Sequence, residues 1–387
     1  MTETWLTPER RALSESVAAL CARFDEHYWG RMDAEHAYPR DFVQALSNAG
    51  FLSVLIPEEY GGGGGTISDG AVILETVNRC GGSGLPAHAQ MYTMGVILRH
   101  GSDEQKARWL PDIAAGKTRL QAFGVTEPDA GSDTTRISTR AELHGDEYII
   151  NGHKMWTSRI EHSDLMVLLA RTTPYDQVTK KTDGISVFVV DLREAGQAIS
   201  YSRIPVMVPH ETYSVTISEL RVPKENLIGE AGKGFRYILS GLNAERILVA
   251  SEVLGDGYWL VGKAVRYASD RVVFGRPIGA NQAVQFPIAQ AYAQLEAASL
   301  MRNNAAVRFE RGENPGFEAN ATKLLASQAT WEAANAAMTA YGGYGVADEF
   351  GIHRKFREAR FHLVAPVSNN LVLSFIAAHT LGLPKSY

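Results

Sequence analysis

The chain has 387 residues, of which 45% are hydrophobic and 21% are charged, and its formal net charge is -5 at pH 7. These proportions are typical of soluble globular proteins, and the acidic balance gives no reason to expect a nucleic-acid partner. The length exceeds the roughly 100–200 residues usual for one domain, so we expect two or three packed units.

The cysteine content and the start of the chain indicate a compartment. Two cysteines, Cys21 and Cys80, are too few for a disulfide framework and fit a reducing environment. The opening MTETWLTPERRAL is polar and lacks the apolar stretch of a signal peptide. Because no run of about 20 apolar residues occurs, we expect a cytoplasmic protein without a membrane span.

Residues 1–120 predict an N-terminal helical domain. Thr7 is a candidate N-cap with Pro8 at the first helical position, and Gly50 is a candidate C-terminal stop. The stretch PEEYGGGGG contains five glycines that could cradle a phosphate. No strand-like run precedes them and no GK[ST] follows, so a flexible loop between helices is favoured.

Residues 121–230 predict a small antiparallel β domain. The runs DLMVLLART, GISVFVVDL and YSVTISELRVP are short, rich in β-formers and separated by turn residues. Two tight turns are expected, one at Gly145 and Asp146 and one at Asn151 and Gly152.

Residues 231–387 predict helices again. Residues 235–271 form a pattern too long for an ordinary globular helix, so Gly255 and Gly257 are expected to kink it or to mark a close helix crossing. Three further alanine-rich helical patterns follow, and such composition favours close packing in a four-helix bundle.

The stretch GLNAERILVA in this region places a charge on an apolar helix face. Apolar residues recur at three- and four-residue spacings around it, and Glu245 falls on their face with Arg246 at its edge. A buried carboxylate costs several kcal/mol unless it is paired. Adjacent helix residues point about 100° apart and are poorly placed to pair, so Glu245 is either a structural ion-pair member or a chemical group.

Two neighbouring motifs suggest a cofactor site. FGVTEPDAGSD contains the small residues Gly131 and Ser132 beside the hydroxyl of Thr126, and such a segment lets backbone N–H groups approach a ligand. GHKMWTS places Trp156 two residues before Ser158, and a ring with a nearby hydroxyl suits one side of a flat heterocycle. A glycine turn next to a core tryptophan is an equally good interpretation of these residues alone.

These motifs resemble the flavin-binding signatures of the acyl-CoA dehydrogenase family. The resemblance continues through PEEYGG, LRVPKENLIGEAGKGF, DRVVFGRPIGANQ and AYGGYGV, and it covers nearly the whole chain in order. It implies an N-terminal helical domain, a central β domain and a C-terminal four-helix bundle. It also implies FAD as cofactor, a homotetramer built as a dimer of dimers, and an electron-transfer flavoprotein as electron acceptor.

The resemblance also implies which residues form the site, and no metal is expected. Residues implied to line the flavin are Phe123, Val125, Thr126 and Ser132, with Trp156 and Ser158 flanking the isoalloxazine. Residues implied to reach the FAD of a neighbouring subunit are Arg271, Phe274 and Gln282. Gly342 and Gly343 would allow close backbone approach to FAD, and Ser368 and Asn370 would touch it. Thr339 stands where the family often has a glutamine, which puts that contact in doubt. Substrate contacts are implied for Ser132, Asn243 and Arg246, with the last two near the CoA end.

The reaction implied is α,β-dehydrogenation of an acyl-CoA thioester, in fatty-acid or branched-chain acyl catabolism, and it needs a carboxylate base. Most family members supply it in an E-G-T motif, where this chain has Pro366, and proline cannot act as a base. A branch that includes isovaleryl-CoA and long-chain enzymes instead places its glutamate on a bundle helix before an arginine. Glu245, followed by Arg246, occupies that position, so we expect Glu245 to be the base.

Other interpretations stay open at this point. The absence of the usual glutamate, together with His210 before a β run, would also fit a flavin-dependent monooxygenase or oxidase on the same scaffold. A non-catalytic acyl-CoA-binding homologue is a third hypothesis. The acyl-chain length is not set by the sequence, although residues 90–94 are implied to lie by the acyl tail.

Overall fold

The structure is a computed structural model that describes residues 5–209, 211–365 and 367–385, apart from the Ser240 side chain. His210 and Pro366, on which the sequence-based alternatives depend, lie outside the described residues. The helices are α1 Pro8–Cys21, α2 Glu26–Ala34, α3 Arg40–Asn48, α4 Ile67–Arg79, α5 Leu85–His100, α6 Asp103–Ala114, α7 Gly234–Asp270, α8 Gln282–Glu310, α9 Gly316–Tyr341, α10 Ile352–His362 and α11 Asn369–Phe375. The strands are β1 Leu120–Gly124, β2 Arg140–His144, β3 Glu147–Ser158, β4 Leu165–Arg171, β5 Ile185–Asp191, β6 Ile199–Arg203, β7 Thr212–Pro223, β8 Leu227–Ile228, β9 Val272–Val273 and β10 Arg276–Pro277. None of the described helices is long and apolar enough to cross a membrane.

The N-terminal helices begin and end at the residues that the sequence predicts. The Thr7 hydroxyl accepts a hydrogen bond from the backbone N–H of Arg10 at the start of α1. Gly50 adopts a left-handed conformation with φ of 76° just after α3, which a residue with a side chain would resist.

The glycine-rich loop lies between helices as predicted, but it is fixed rather than flexible. The N–H groups of Gly63, Gly64 and Gly65 donate to the carbonyls of Ser53, Ile56 and Val54, at 3.1, 2.9 and 2.7 Å. Because these donors are already bonded to the chain, they cannot cradle a phosphate.

The strands β1 to β8 form one sheet in the order β6-β7-β3-β2-β4-β5-β8, with β1 paired to β4. The predicted turn at Gly145 and Asp146 is confirmed, because it joins β2 to β3 through the pair His144 and Glu147. Two predictions need correction. The sheet is mixed, since β1 and β2 each pair with β4 in parallel. There is no turn at Asn151 and Gly152.

Gly152 lies inside β3 because its long partner β7 pairs with β3 on both sides of it, with a bulge between Ile150 and Gly152. A Cβ atom at Gly152 would come within 2.3 Å of the Thr139 hydroxyl. The glycine therefore permits a close approach of two chain segments and does not mark a turn.

The C-terminal region is a bundle of the long helices α7, α8 and α9 with the shorter α10 packed against α7 and α9. Helix α7 runs unbroken for 37 residues, so its glycines do not end it. A Cβ atom at Gly255 would lie 2.4 Å from the Glu75 carbonyl of α4, and one at Gly257 would lie 2.4 Å from Leu295 of α8. Both glycines therefore mark the close helix crossings that the sequence predicts.

Candidate functional site

The two sequence motifs lie side by side at the end of β1 and along β3. The backbone N–H of Met155 donates to the carbonyl of Thr126 at 2.8 Å. The Lys154 ammonium group donates to the carbonyl of Val125 at 3.1 Å. The segment after β1 is thus held directly against the strand that carries Trp156.

A buried ion pair holds the same two segments together. The Lys154 ammonium group lies 2.7 Å from the Glu127 carboxylate, and the side chains are 0% and 4% exposed. The carboxylate also accepts hydrogen bonds from the N–H groups of Ser138 and Thr139 and from the Ser138 hydroxyl. Burial raises the pKa of Glu127, but Lys154 and these donors outweigh it and lower the pKa to about 2. Burial lowers the pKa of Lys154 to about 8 against the attraction of Glu127, so both groups are charged at neutral pH.

Trp156 is held out of the sheet with its ring uncovered. A bulge between Lys154 and Thr157 interrupts the pairing of β3 with β7 at this point. Trp156 has a φ of 59°, which is costly for a residue with a large side chain, and 52% of its surface is exposed. A ring presented in this way leaves one face for a flat ligand, which fits the isoalloxazine that the sequence implies.

The other residues implied to line the flavin differ in their exposure. Phe123 is half-buried at the end of β1, and Val125 and Thr126 are half-buried just after it. Ser158 is half-buried at the end of β3, where its hydroxyl lies 3.3 Å from that of Thr212. Ser132 is exposed in the loop between β1 and β2.

Glu245 is buried on α7 without a protein partner. Its residue is 9% exposed, and among the described residues no hydrogen bond and no ion pair reaches its carboxylate. Burial raises the pKa of Glu245 to about 7, and the positive charges of Arg246 and Lys323 oppose the rise. The carboxylate can therefore exchange a proton near neutral pH.

Helix α5 connects Glu245 to the flavin motif. The rings of Tyr92 and Phe123 meet edge to face with their centroids 5.5 Å apart. Burial and the charge of Glu245 both raise the pKa of Tyr92 above its usual value. Tyr92 therefore stays protonated between Glu245 and Phe123, inside the segment 90–94 that the sequence implies for the acyl tail.

Asn243 and Arg246 lie on α7 on the two sides of the base, two residues before Glu245 and one residue after it. Both are half-buried, and the Arg246 Nε–H has no hydrogen-bond acceptor in the described structure. Arg246 and Glu245 form no ion pair, as their helical spacing predicts, although burial lowers the pKa of Arg246. The guanidinium group is thus able to donate a hydrogen bond to a ligand.

Lys323 is a site residue that sequence analysis missed. It is 1% exposed on α9, and its ammonium group donates to the His362 carbonyl and to the Asn369 side chain, each at 2.8 Å. Burial, together with the charge of Arg246, lowers its pKa to about 7. A lone lysine in the alanine-rich stretch EANATKLLASQ is the one available signal, and it does not tell which neighbours the side chain meets.

The two contacts of Lys323 tie both ends of the loop that replaces the E-G-T motif. In this loop the Ser368 hydroxyl caps α11 by accepting from the N–H of Leu371 at 3.4 Å. Asn370 is exposed in the first turn of α11. Both residues border a shallow groove beside α9, and the cap leaves the Ser368 hydroxyl hydrogen free to donate.

The remaining implied cofactor contacts are not brought to this site within one chain. Arg271 comes directly after the continuous helix α7 and 26 residues beyond Glu245, which places it about 39 Å away along the axis. Phe274 is 102% exposed at the tip of the β9–β10 hairpin with a φ of 52°. The other members of this exposed end are Gln282, Gly342 and Gly343.

At this exposed end of the bundle, Gly342 and Gly343 lie beside the C-terminal end of α7. Tyr341, just before Gly342, stacks on Tyr267 of α7 with a centroid distance of 4.1 Å, which places the glycines beside the end of α7. A Cβ atom at Gly342 or Gly343 would meet no other atom within 4 Å, so their backbone is open to a ligand. Thr339 borders a groove between α8 and α9 near the same end.

Comparison with known proteins gives matches along the whole chain. Profiles described as the N-terminal, middle and C-terminal domains of acyl-CoA dehydrogenase match residues 7–117, 122–218 and 232–381. Acyl-CoA dehydrogenase fadE12 of Mycobacterium bovis is 33% identical over 384 residues, covering 98% of this chain and 97% of the relative.

Solved structures agree. A glutaryl-coenzyme A dehydrogenase in complex with glutaryl-CoA is 30% identical with a TM-score of 0.92, over 98% of this chain and 97% of that one. Butyryl-CoA dehydrogenase from Megasphaera elsdenii is 25% identical with a TM-score of 0.91, over 97% of this chain and 99% of that one. The chain therefore belongs to the acyl-CoA dehydrogenase family of oxidoreductases.

Proposed function

We propose that the protein dehydrogenates an acyl-CoA thioester to a trans-2-enoyl-CoA, with Glu245 as the base that removes the α-proton. The observation that carries this proposal is the Glu245 carboxylate, buried and unpartnered next to Tyr92 and the flavin motif. A buried carboxylate without a structural partner is costly, and a catalytic role explains why it is present.

Glu245 takes the proton from Cα as the electron pair of that bond forms the new double bond. The cofactor is FAD, which when bound supplies the acceptor for the hydride that leaves Cβ. A pKa of about 7 suits the base, because a useful fraction is ionised at neutral pH and the proton is still held firmly. The neighbouring aromatic rings Tyr92 and Phe123 exclude water from the site.

The chain holds the cofactor ring through the two joined motifs. We assign Phe123, Val125 and Thr126, together with the exposed ring of Trp156, to the flavin ring, and we assign hydroxyl contacts with it to Ser158 and Ser132. The Glu127–Lys154 pair keeps these segments in register without touching the ligand itself. Ser368 and Asn370 offer polar groups from the α11 side.

The CoA end of the substrate is assigned to Asn243 and Arg246. Arg246 has a free Nε–H donor, and a guanidinium group suits the carbonyl and amide oxygens of a thioester and its pantetheine arm. Asn243 precedes Glu245 by two residues, so the thioester lies toward the N-terminal end of α7.

We assign the exposed hairpin to the assembly. Phe274 is fully exposed at its tip beside Arg271, with Gln282 at the start of α8. An exposed phenylalanine next to a guanidinium group suits a partner surface that includes a pyrophosphate. We therefore propose a homotetramer in which the hairpin residues, Gln282, Gly342 and Gly343 complete the FAD site of a neighbouring subunit. Such an assembly explains why these residues are exposed in the single chain. The electron acceptor is an electron-transfer flavoprotein.

The test is an anaerobic screen of flavin bleaching with acyl-CoAs of different length and branching. We expect the purified protein to be yellow and at least one acyl-CoA to reduce its flavin within seconds, with slow reoxidation in air. Rapid oxygen consumption with a reduced-flavin donor would instead indicate the monooxygenase or oxidase alternative. A protein that purifies without flavin would contradict the proposal.

A further inference from the structure

The helices α5 and α7 pack antiparallel and form a seam next to the base. At one end Arg99 of α5 faces Gly241, because a Cβ atom on that glycine would lie 2.7 Å from the guanidinium group. At the other end His88 of α5 lies 3.5 Å from the Glu252 carboxylate. We call this the α5–α7 seam, with Tyr92 and Glu245 between its two ends.

The two ends of the seam differ in access to solvent. Arg99 is exposed and Asn243 is half-buried, so the first end opens to solvent near the assigned CoA position. His88 and Glu252 are 3% and 0% exposed, so the second end is closed. An acyl chain whose thioester lies near Asn243 passes Glu245 and points toward this closed end.

The closed end is polar, and its polar atoms lack partners. The Glu252 carboxyl oxygens and the His88 Nε2 atom have no hydrogen-bond partner in the described structure. His362 of α10 reaches the same carboxyl group at 3.9 Å and leaves its Nδ1 atom without a partner. Buried polar atoms are nearly always bonded, so four unpartnered atoms, namely both oxygens of one carboxyl group and one nitrogen of each neighbouring imidazole, indicate a ligand or internal water.

Most of the charged groups behind this end are paired with opposite charges, and Arg159 is bonded to a backbone carbonyl. The Lys355 ammonium group contacts Asp256 at 2.5 Å and Glu358 at 2.7 Å, and Arg354 lies 3.4 Å from Glu358. Arg159 donates to the carbonyl of Leu85. No group of acidic residues, histidines or cysteines with metal-binding geometry is present among the described residues.

Burial shifts the pKa of each of these unpartnered groups toward its uncharged form. Burial lowers the pKa of His88 and of His362 to about 3, so both imidazoles are neutral. Burial and the charge of Asp256 raise the pKa of Glu252 well above its usual value. A charged group entering here would have to lose its hydration, which costs far more than it does for a neutral polar group.

We propose that the closed end of the α5–α7 seam binds a hydroxyl group on the acyl chain of the substrate, through His88, Glu252 and His362. A hydroxyl donates one hydrogen bond and accepts others, and it matches a site that offers both neutral donors and acceptors. This inference rests on the proposed function, and it names the substrate class as hydroxylated acyl-CoAs.

The position of the hydroxyl follows from the helix. Glu252 lies seven residues beyond Glu245 on α7, which is about 10 Å along the axis. The hydroxyl therefore lies several bonds beyond the reacting carbons, and a 3-hydroxyl on the carbon that is oxidised does not reach it.

The experiment compares kcat/KM for ω-hydroxyacyl-CoAs with that for unsubstituted acyl-CoAs of equal length, over chains of about four to ten carbons. In the wild-type holoenzyme we expect the hydroxylated compound to be preferred at least about tenfold at the best length, since unpaired polar groups in a site reject an apolar analogue. His88→Leu and Glu252→Leu should remove the preference, and Glu252→Gln should keep much of it.

Ser251→Ala is the matched control. Ser251 precedes Glu252 but faces α8, where its hydroxyl accepts from Arg302 at 3.1 Å, so the variant should keep the hydroxyl preference. If unsubstituted acyl-CoAs are used equally well or better, internal water fills the closed end and the inference is wrong, while the proposed function stands. If no acyl-CoA of either series reduces the flavin, the proposed function itself fails. The wild-type comparison decides the matter even where a variant does not fold.

Discussion

Glu127 and Glu245 are both buried glutamates, 4% and 9% exposed, and they lie in opposite surroundings. Glu127 meets Lys154 and three hydrogen-bond donors, and its pKa falls to about 2. Glu245 meets no donor, and its pKa rises to about 7. The first carboxylate serves to join two segments of the chain, and the second is left free to take a proton. Two buried carboxylates thus have different roles, Glu127 a structural one and Glu245 a chemical one, because their neighbours differ.

The largest expected effect comes from removing the unpaired carboxylate. Glu245→Gln keeps the size and polarity of the side chain but cannot accept the α-proton. We expect the rate of anaerobic flavin reduction by the best acyl-CoA to fall at least about 10³-fold, near the upper part of the range for one acid–base group. The variant should retain its FAD absorbance. Near-normal reduction would show that the base lies elsewhere.

Removing the paired carboxylate should instead affect stability. Glu127→Gln leaves the Lys154 ammonium group buried without a counter-charge, and breaking such a pair costs about 3–5 kcal/mol. Urea denaturation of the FAD-bound protein measures this loss. The double variant Glu127→Gln/Lys154→Met is the control and should recover part of it. A loss under about 1 kcal/mol, typical of surface ion pairs, would contradict the structural role.

The two carboxylates should also have opposite effects on stability as pH changes. The Glu245 pKa is higher in the folded state than its ordinary 4.5, so its contribution is fully present below pH 4.5 and is lost as pH rises toward about 7. The Glu127 pKa is lower in the folded state, so its contribution is present above pH 4.5 and is lost as pH falls toward about 2. Denaturation curves of the wild type and each glutamine variant, measured across pH, would give the slope of the unfolding free energy against pH that each glutamate contributes. Two slopes of the same sign would contradict the expected difference between Glu127 and Glu245.

The smallest expected effect concerns Lys323. Its positive charge lowers the Glu245 pKa, so in Lys323→Met that pKa should rise further. In the wild type, flavin reduction should become faster as pH rises through about 7, because the ionised carboxylate is the base. The variant should show the same profile displaced to higher pH, with FAD still bound. A profile that stays in place would mean that Lys323 serves only to fix the loop before α11.

Local sequence signals predicted those features that depend on neighbouring residues. The Thr7 cap, the turn at Gly145 and Asp146 and the close crossings at Gly255 and Gly257 all follow from residue type and spacing. The turn predicted at Asn151 and Gly152 was wrong because the pairing of β3 with β7 outweighs a local turn preference.

The candidate site could be predicted in part. The apolar face of α7 singled out Glu245, and the structure shows it to be buried without a protein partner. Lys323 and the closed end at His88 and Glu252 could not be predicted, because each gains its meaning from a segment far away in the sequence. The catalytic and ligand-contact roles of the individual residues stay predictions.

The exposed hairpin at Phe274 bears on how the enzyme behaves at low abundance. If each chain lends this hairpin to a neighbour, cofactor retention is a collective property and not one of the single chain. On dilution the FAD, and with it the yellow colour of the protein, would then be lost before any helix unfolds. Added flavin would restore both the bound cofactor and the assembly. In a cell, the activity per chain would stay low until the protein concentration was high enough for the subunits to associate.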